Sequence, residues 1–379
     1  MLIYSLLHNF VLVFINKFIP ITNLLYQVSA IFFLYLVLRS IKFKINHLTQ
    51  NFNFIIIFIL IIISYFQKDY DLTLIYSLLV GILLFRNYFL ELNYLKKFID
   101  WTLSIVLIIG LIELILGNSY HQYLDIFSYY LNSRTRYSPT EIEIYTQIGA
   151  YRGESNYFLS FINYRISSIF LEPLGLAYFS IICLGFYRAL SSEDDFFKEI
   201  KKNFLRYLMI LCLIILSDTR SSYIIFMLVL LIPKNLMSLK NTYIAIIFAI
   251  IAMILFIWFL SEIDSEFQRR LRPTIYALTN LETIFNFSKY SHGILDSGYG
   301  GIMANLGIFG FIYIFVFLIK TSKSVENKKS SFYFFNFTVM YMFYFAIFGG
   351  AVYSIKTFVL LLIIYNSLCF DKKQAISRI

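Results

Sequence analysis

The chain has 379 residues, 59% of them hydrophobic and only 14% charged, and a mean hydropathy of +0.73, a composition that excludes a soluble globular protein. The formal charge of +10 would suggest nucleic acid in a soluble chain. In a membrane chain the placement of charge matters more than its sum, so the expectation is an all-α polytopic membrane protein with membrane lipid, and no nucleic acid, as its partner.

Apolar runs long enough to span a bilayer, or nearly so, fall at about 3–19, 21–38, 52–66, 71–86, 99–116, 166–187, 204–217, 221–233, 241–260, 299–319, 332–349 and 354–370. This predicts about 12 transmembrane helices in a single integral membrane domain, 1–379. Met1 to Phe14 lacks a basic n-region and a small-residue cleavage site, so the first span is expected to stay. The seventh and eighth runs are short and read as a hairpin around Ser217-Asp218-Thr219-Arg220-Ser221. Cys183, Cys212 and Cys369 have no CxxC or Cys/His spacing and read as small apolar residues.

With both termini in the cytoplasm, the inner side holds fifteen Lys and five Arg and the outer side four Lys and eight Arg. The total obeys the positive-inside rule. The split by type says more, because arginine is preferred where a planar fork must hold phosphate or carboxylate. Arg134, Arg136, Arg152, Arg165, Arg220, Arg269, Arg270 and Arg272 therefore read as an outer anion site, or as partners of outer acids such as Glu141, Glu143, Glu154 and Asp264. Two outer connections are too long to be turns. The first extracytoplasmic loop, 118–164, is rich in tyrosine. The second, 261–298, carries Phe267, Leu271, Ile275 and Leu278 at helical spacing, as in a surface-lying helix.

The stretch Tyr164 to Tyr178 reads as the start of a membrane helix with Arg165 at its mouth and Glu172 about two turns in. On a helix, Arg165, Ser168 and Glu172 would share one face. An ionisable group inside a span is read as functional with a named partner, here Arg165 or another outer arginine; the alternative is an ion pair that only fixes packing. Pro173 would free the Ile169 carbonyl one turn earlier. Three further patches would converge on the same rim: Asp218 and Arg220; Arg269, Arg270 and Arg272; and His292 to Gly301, where a neutral imidazole could take a proton from a sugar hydroxyl. The sequence has no HExxH, outer DxD-type pair or GxxxxGK loop, so neither a metal nor a nucleotide cofactor is expected.

Arg165-x-x-Ser168-x-Phe170-x-Glu172-Pro173, Asp218-Thr219-Arg220-Ser221, and His292 through Gly310 resemble, in that order, the three signature regions of the O-antigen polymerase (Wzy-type) and O-antigen ligase superfamily. The resemblance covers about 160–320 at motif level. It implies a GT-C-like fold and a metal-independent glycosyltransferase acting on undecaprenyl-diphosphate-linked repeat units at the outer face of the bacterial plasma (inner) membrane. It also implies a chain-length regulator and a flippase of the same pathway as partners. The family often has glycine where Ser168 stands, and a Ser-Arg pair where this chain has Thr219-Arg220. Gly293 follows His292 where ligases commonly have asparagine, which favours polymerase over ligase. By resemblance and physics together, Arg165 and Arg220 hold the diphosphate, with Arg272 or Arg269 closing over it. Glu172 orients Arg165 or acts as base, and His292 competes for that role. The loop tyrosines would offer faces to sugar rings. The rival readings are the ligase that moves the finished glycan to lipid A-core and, from another class, a transporter or flippase of lipid-linked oligosaccharide.

Overall fold

The computed structural model describes residues 1–40, 80, 84, 88–133, 164–240, 242–260, 325, 328–345 and 355–369, with backbone alone at 242, 253, 255–260 and 355. Every element among the described residues is helical: α1 (Leu2–Asn16), α2 (Asn23–Ser40), α3 (Leu92–Leu116), α4 (Asn118–Leu124), α5 (Ile126–Ser133), a 3-10 turn (Ser168–Phe170), α6 (Pro173–Leu190), α7 (Phe196–Lys202), α8 (Phe204–Ser217), α9 (Arg220–Leu231), α10 (Lys234–Met237), α11 (Thr242–Leu260), α12 (Lys329–Phe345) and α13 (Ile355–Cys369). Helices occupy the predicted runs except 52–66, 71–86 and 299–319, which lie outside the described residues apart from Val80 and Leu84. Three of them, α2, α3 and α6, are long and apolar enough to cross a membrane. The chain is thus a helical protein of the membrane-embedded kind.

Helix α3 shows how sequence spacing divides lipid from core. Leu95, Ile99, Leu103, Val106, Gly110 and Glu113 recur at intervals of three and four and are buried. Trp101, Ile105, Ile108, Ile112 and Ile115 take the opposite face and are exposed. Two apolar faces on one helix are what a bilayer on one side and protein on the other require. Gly117 ends the helix with φ +57°, a left-handed conformation that costs glycine nothing.

Helix α6 is the hub, packed against α8, α9, α12, α13 and the 3-10 turn. From Gly175 to Ala189 every residue is buried. Its approach to α12 depends on Gly185, where an added Cβ would overlap the ring of Phe337. Small residues at such crossings let backbones close up in a membrane protein. Gly185→Ala is expected to push α12 away and cost about 1–3 kcal/mol. Thermal unfolding of the detergent-purified protein should show the loss, and Phe337→Leu in the same chain should recover part of it.

The expectation of one helix running from 166 is corrected. Helix α6 begins at Pro173, and Glu172 is its extended N-cap residue, φ −135° and ψ 123°. The cause is local: the ring of a proline clashes with a helical residue before it, while proline itself suits the first helical position. Because Pro173 stands at the helix start, no intrahelical bond to Ile169 is lost, which also corrects the freed carbonyl. Residues 165–171 are instead a buried segment outside any α-helix, with left-handed Ser168, φ 51°, opening the 3-10 turn and left-handed Leu171, φ 61°, closing it. Irregular backbone among membrane helices persists only where protein or water satisfies its polar groups.

Candidate functional site

The segment 164–172 is held between α3, α8, α13 and α5, and each contact satisfies a backbone or charged group. The Ile166 N–H donates to the Leu216 carbonyl at 2.9 Å, and Ser168 Oγ donates to the Val106 carbonyl at 2.7 Å. Arg165, 1% exposed, donates from Nε to the Ser217 carbonyl at 2.8 Å and from Nη2 to Thr219 Oγ1. Its fork thus grips the α8–α9 turn. That turn is sharp because Asp218 is left-handed, φ 40°, as the C-cap of α8. Thr219 is the N-cap of α9 and Arg220 its first residue. Two of the predicted arginines are thereby brought to neighbouring positions, Arg165 bonded to the residue that precedes Arg220.

Glu172 is half-buried at the head of α6. The shared helical face with Arg165 and Ser168 does not form, because the helix starts after all three. The Tyr130 hydroxyl lies 3.4 Å from both Glu172 Oε1 and the Leu171 carbonyl. Tyr120, Tyr129 and Tyr130, expected to face sugar rings, are buried with Leu12, Val13, Ile21, Leu124 and Ile126. Their rings anchor the short helices α4 and α5 on α1, since an aromatic side chain this large releases more water when it packs than when it waits for a ligand. Among the described loop tyrosines Tyr123 is the exposed one, with Lys17 Nζ 3.7 Å from its ring centre.

Three residues of the site were not singled out as site residues by the sequence reading. Glu113, fully buried, accepts at Oε2 from the N–H of Ser168 (2.6 Å) and of Ser167 (3.1 Å). Its Oε1 accepts from Ser167 Oγ (3.0 Å) and lies 3.0 Å from His121 Nε2. His121, on α4, is buried too and meets the Tyr164 ring edge-on. The Tyr164 hydroxyl donates to the Glu113 carbonyl. Burial first, and the Glu113 charge second, pushes the Tyr164 and Tyr120 phenols above the usual range, so both stay protonated. The third, Lys356, enters from α13: buried, it donates from Nζ to the Phe170 carbonyl at 2.6 Å. The signal for Glu113 was in the sequence, as a carboxylate continuing the buried spacing 99, 103, 106, 110.

A second charged cluster lies at the other end of the bundle, where α3 and α8 begin and α6 ends. Asp100 takes both Arg206 Nε (2.6 Å) and Nη2 (2.9 Å), and Tyr187 donates to it at 2.6 Å. Arg188 and Tyr207 both donate to the buried Glu199. Nearby, Lys234 donates to the Ser191 carbonyl, and burial holds its ammonium below the usual lysine range. The predicted Arg269, Arg272 and His292, with most of both long loops, lie outside the described residues.

The geometry that results is a strained, buried turn carrying an arginine, tied to a second arginine at a helix N-terminus. Such a place can receive an anion: the N–H groups and dipole of α9 favour negative charge there, and guanidinium forks match phosphate oxygens. Comparison of the chain with protein-family models, with curated proteins and with solved structures finds no match.

Proposed function

We propose that the chain is a polymerase joining undecaprenyl-diphosphate-linked oligosaccharide repeat units into a surface polysaccharide, with its site at the end of the bundle that carries Arg165, Arg220 and Glu172. The observation that carries the reading is the bond from Arg165 to the turn that begins α9 with Arg220. A cation at a helix N-terminus opposes the macrodipole, so an arginine there is stabilised by an anion. The order Arg165, Glu172, Arg220, His292 along the chain, and its resemblance to the O-antigen polymerase and ligase superfamily, supply the kind of anion. The reading includes the twelve-span topology, cytoplasmic termini and a site facing the periplasm.

In the reaction, an acceptor sugar hydroxyl oxygen attacks the anomeric carbon of the donor glycan. The bond from that carbon to the diphosphate breaks, and the lipid diphosphate leaves with the electron pair. The hydroxyl proton passes to a carboxylate or imidazole, Glu172 or His292. Charge grows on the leaving oxygens, where fixed guanidinium groups in a low-dielectric site stabilise it most. Arg165 and Arg220 are assigned that work, with Arg269 and Arg272 approaching from the second loop.

One gel of surface lipopolysaccharide from a deletion strain tests the reading. A polymerase defect leaves a single repeat unit on the core. Antigen missing from the core, with glycan held on the lipid carrier, would make the chain a ligase; unpolymerised material at the inner face would make it a flippase. A full ladder in the deletion strain would remove the chain from this assembly.

A further inference from the structure

The 167–171 turn is gripped by opposite charges at its two ends. Glu113 takes the amides of Ser167 and Ser168 at the entry. Lys356, from a helix 186 residues further along the chain, takes the Phe170 carbonyl at the exit. Neither charge is solvated: Glu113 is 0% and Lys356 5% exposed. Buried charges are costly unless they are paired and hydrogen-bonded, and here, besides the His121 contact of Glu113, bonds from both charges converge on the backbone of one short segment. That backbone is held at φ 51° and 61° at Ser168 and Leu171, values that non-glycine residues keep only when their surroundings enforce them. The enforced turn fixes where Arg165 leaves the chain before it and where Glu172 begins after it.

We infer that Glu113 and Lys356 are positioning residues: a charge clamp that sets the 167–171 turn so that Arg165 stands ready for the lipid diphosphate and Glu172 for the acceptor hydroxyl. The inference rests on the polymerase reading of the same site. It assigns no contact between either residue and the substrate. Glu113 acts through the two amides, and Lys356 through one carbonyl.

The test uses the full-length protein in nanodiscs with undecaprenyl diphosphate as the probe, bound amounts being read by native mass spectrometry. Glu113→Gln removes the negative charge that the two N–H groups face and leaves one acceptor oxygen where there were two, and Lys356→Met leaves the Phe170 carbonyl without its cation. Each is expected to weaken binding by about tenfold, the scale for a displaced charged hydrogen bond. Glu113→Asp and Lys356→Arg, which keep the charges, should bind within about threefold of wild type. The decisive arm is Glu113→Gln placed on Arg165→Lys. If Glu113 works through Arg165, it adds less than about twofold to the loss already present, whereas independent damage to the fold would multiply the two losses. Should Glu113→Gln not fold, Lys356→Met on Arg165→Lys carries the same comparison. Multiplied losses, or wild-type binding by Glu113→Gln and Lys356→Met, would overturn the clamp and leave the polymerase reading standing. No binding of undecaprenyl diphosphate by the wild-type protein would overturn both.

Discussion

Arg165→Ala, inserted in the membrane at the wild-type level, is expected to reproduce the deletion phenotype, a single repeat unit on the core, and so is Arg220→Ala. The two substitutions act by different routes. Arg165 is bonded to Ser217 and Thr219, so alanine removes both a cation and the tie between the 165–171 segment and the α8–α9 turn. Hydrogen bonds from a charged donor contribute about 1.5–3 kcal/mol each, and the Ser217 carbonyl would be left buried without its guanidinium partner. Arg220 heads α9, so its loss removes a charge that the helix itself does not favour. The expected outcome for Arg220→Ala, a buried position at the head of α9, is therefore a protein that inserts at the wild-type level and no longer polymerises. Arg165→Lys separates charge from geometry. A lysine reaches one acceptor where the fork reaches two, so a partial ladder, weaker by about tenfold or more, is expected. Full ladders from both alanine variants would make Arg165 a structural bolt and end its assignment to the diphosphate.

The helices were legible because spacing and apolar length are written into each segment alone. The end of α3 at Gly117 and the break at Asp218 between α8 and α9 follow local rules, and the sequence reading, with a run ending at 116 and a hairpin around Asp218, found both. The start of α6 was equally local. Pro173 argues against helix at Glu172, yet the apolar character of Ile166, Ile169 and Leu171 drew the span back to 166. What was not legible is the path of 165–171, because its shape is imposed from outside the segment by Glu113, Leu216, Val106 and Lys356. Nothing in Ser168 or Leu171 announces a left-handed backbone. The resemblance gave an indirect hint, since glycine is common in that superfamily at the place of Ser168, and φ 51° is where glycine is at ease. Tyr120, Tyr129 and Tyr130 misled for a related reason: aromatic residues in a polar stretch look ligand-directed until the apolar surface that covers them, here from α1 and Leu171, is known, while Tyr137, Tyr145, Tyr151 and Tyr157 lie outside the described residues.

Glu199→Ala is expected to be the most destabilising single change at the end of the bundle away from the arginine turn. Glu199 is fully buried on α7 and receives both Arg188 and the Tyr207 hydroxyl. Arg188 lies in the last turn of α6, where the helix dipole favours a cation, and bonds the Asp194 carbonyl at 3.1 Å with the Phe196 ring 5.6 Å away. With Glu199 gone, a guanidinium 1% exposed keeps its charge and loses its counter-ion. Removing one partner of such a pair costs about 3–5 kcal/mol, a large part of the stability of most domains. Thermal unfolding in detergent should fall accordingly, with less protein recovered from membranes. Glu199→Leu combined with Arg188→Met should recover most of the loss, because two apolar residues need no counter-charge. The ladder should return with it, since Arg188 and Glu199 hold α7 against α6 and α8 and lie far along α6 from Glu172. If Glu199→Ala unfolded at the wild-type temperature, the pair would not be bearing a buried charge. A double variant that folded but left single repeats would mean that this end of the bundle takes part in polymerisation.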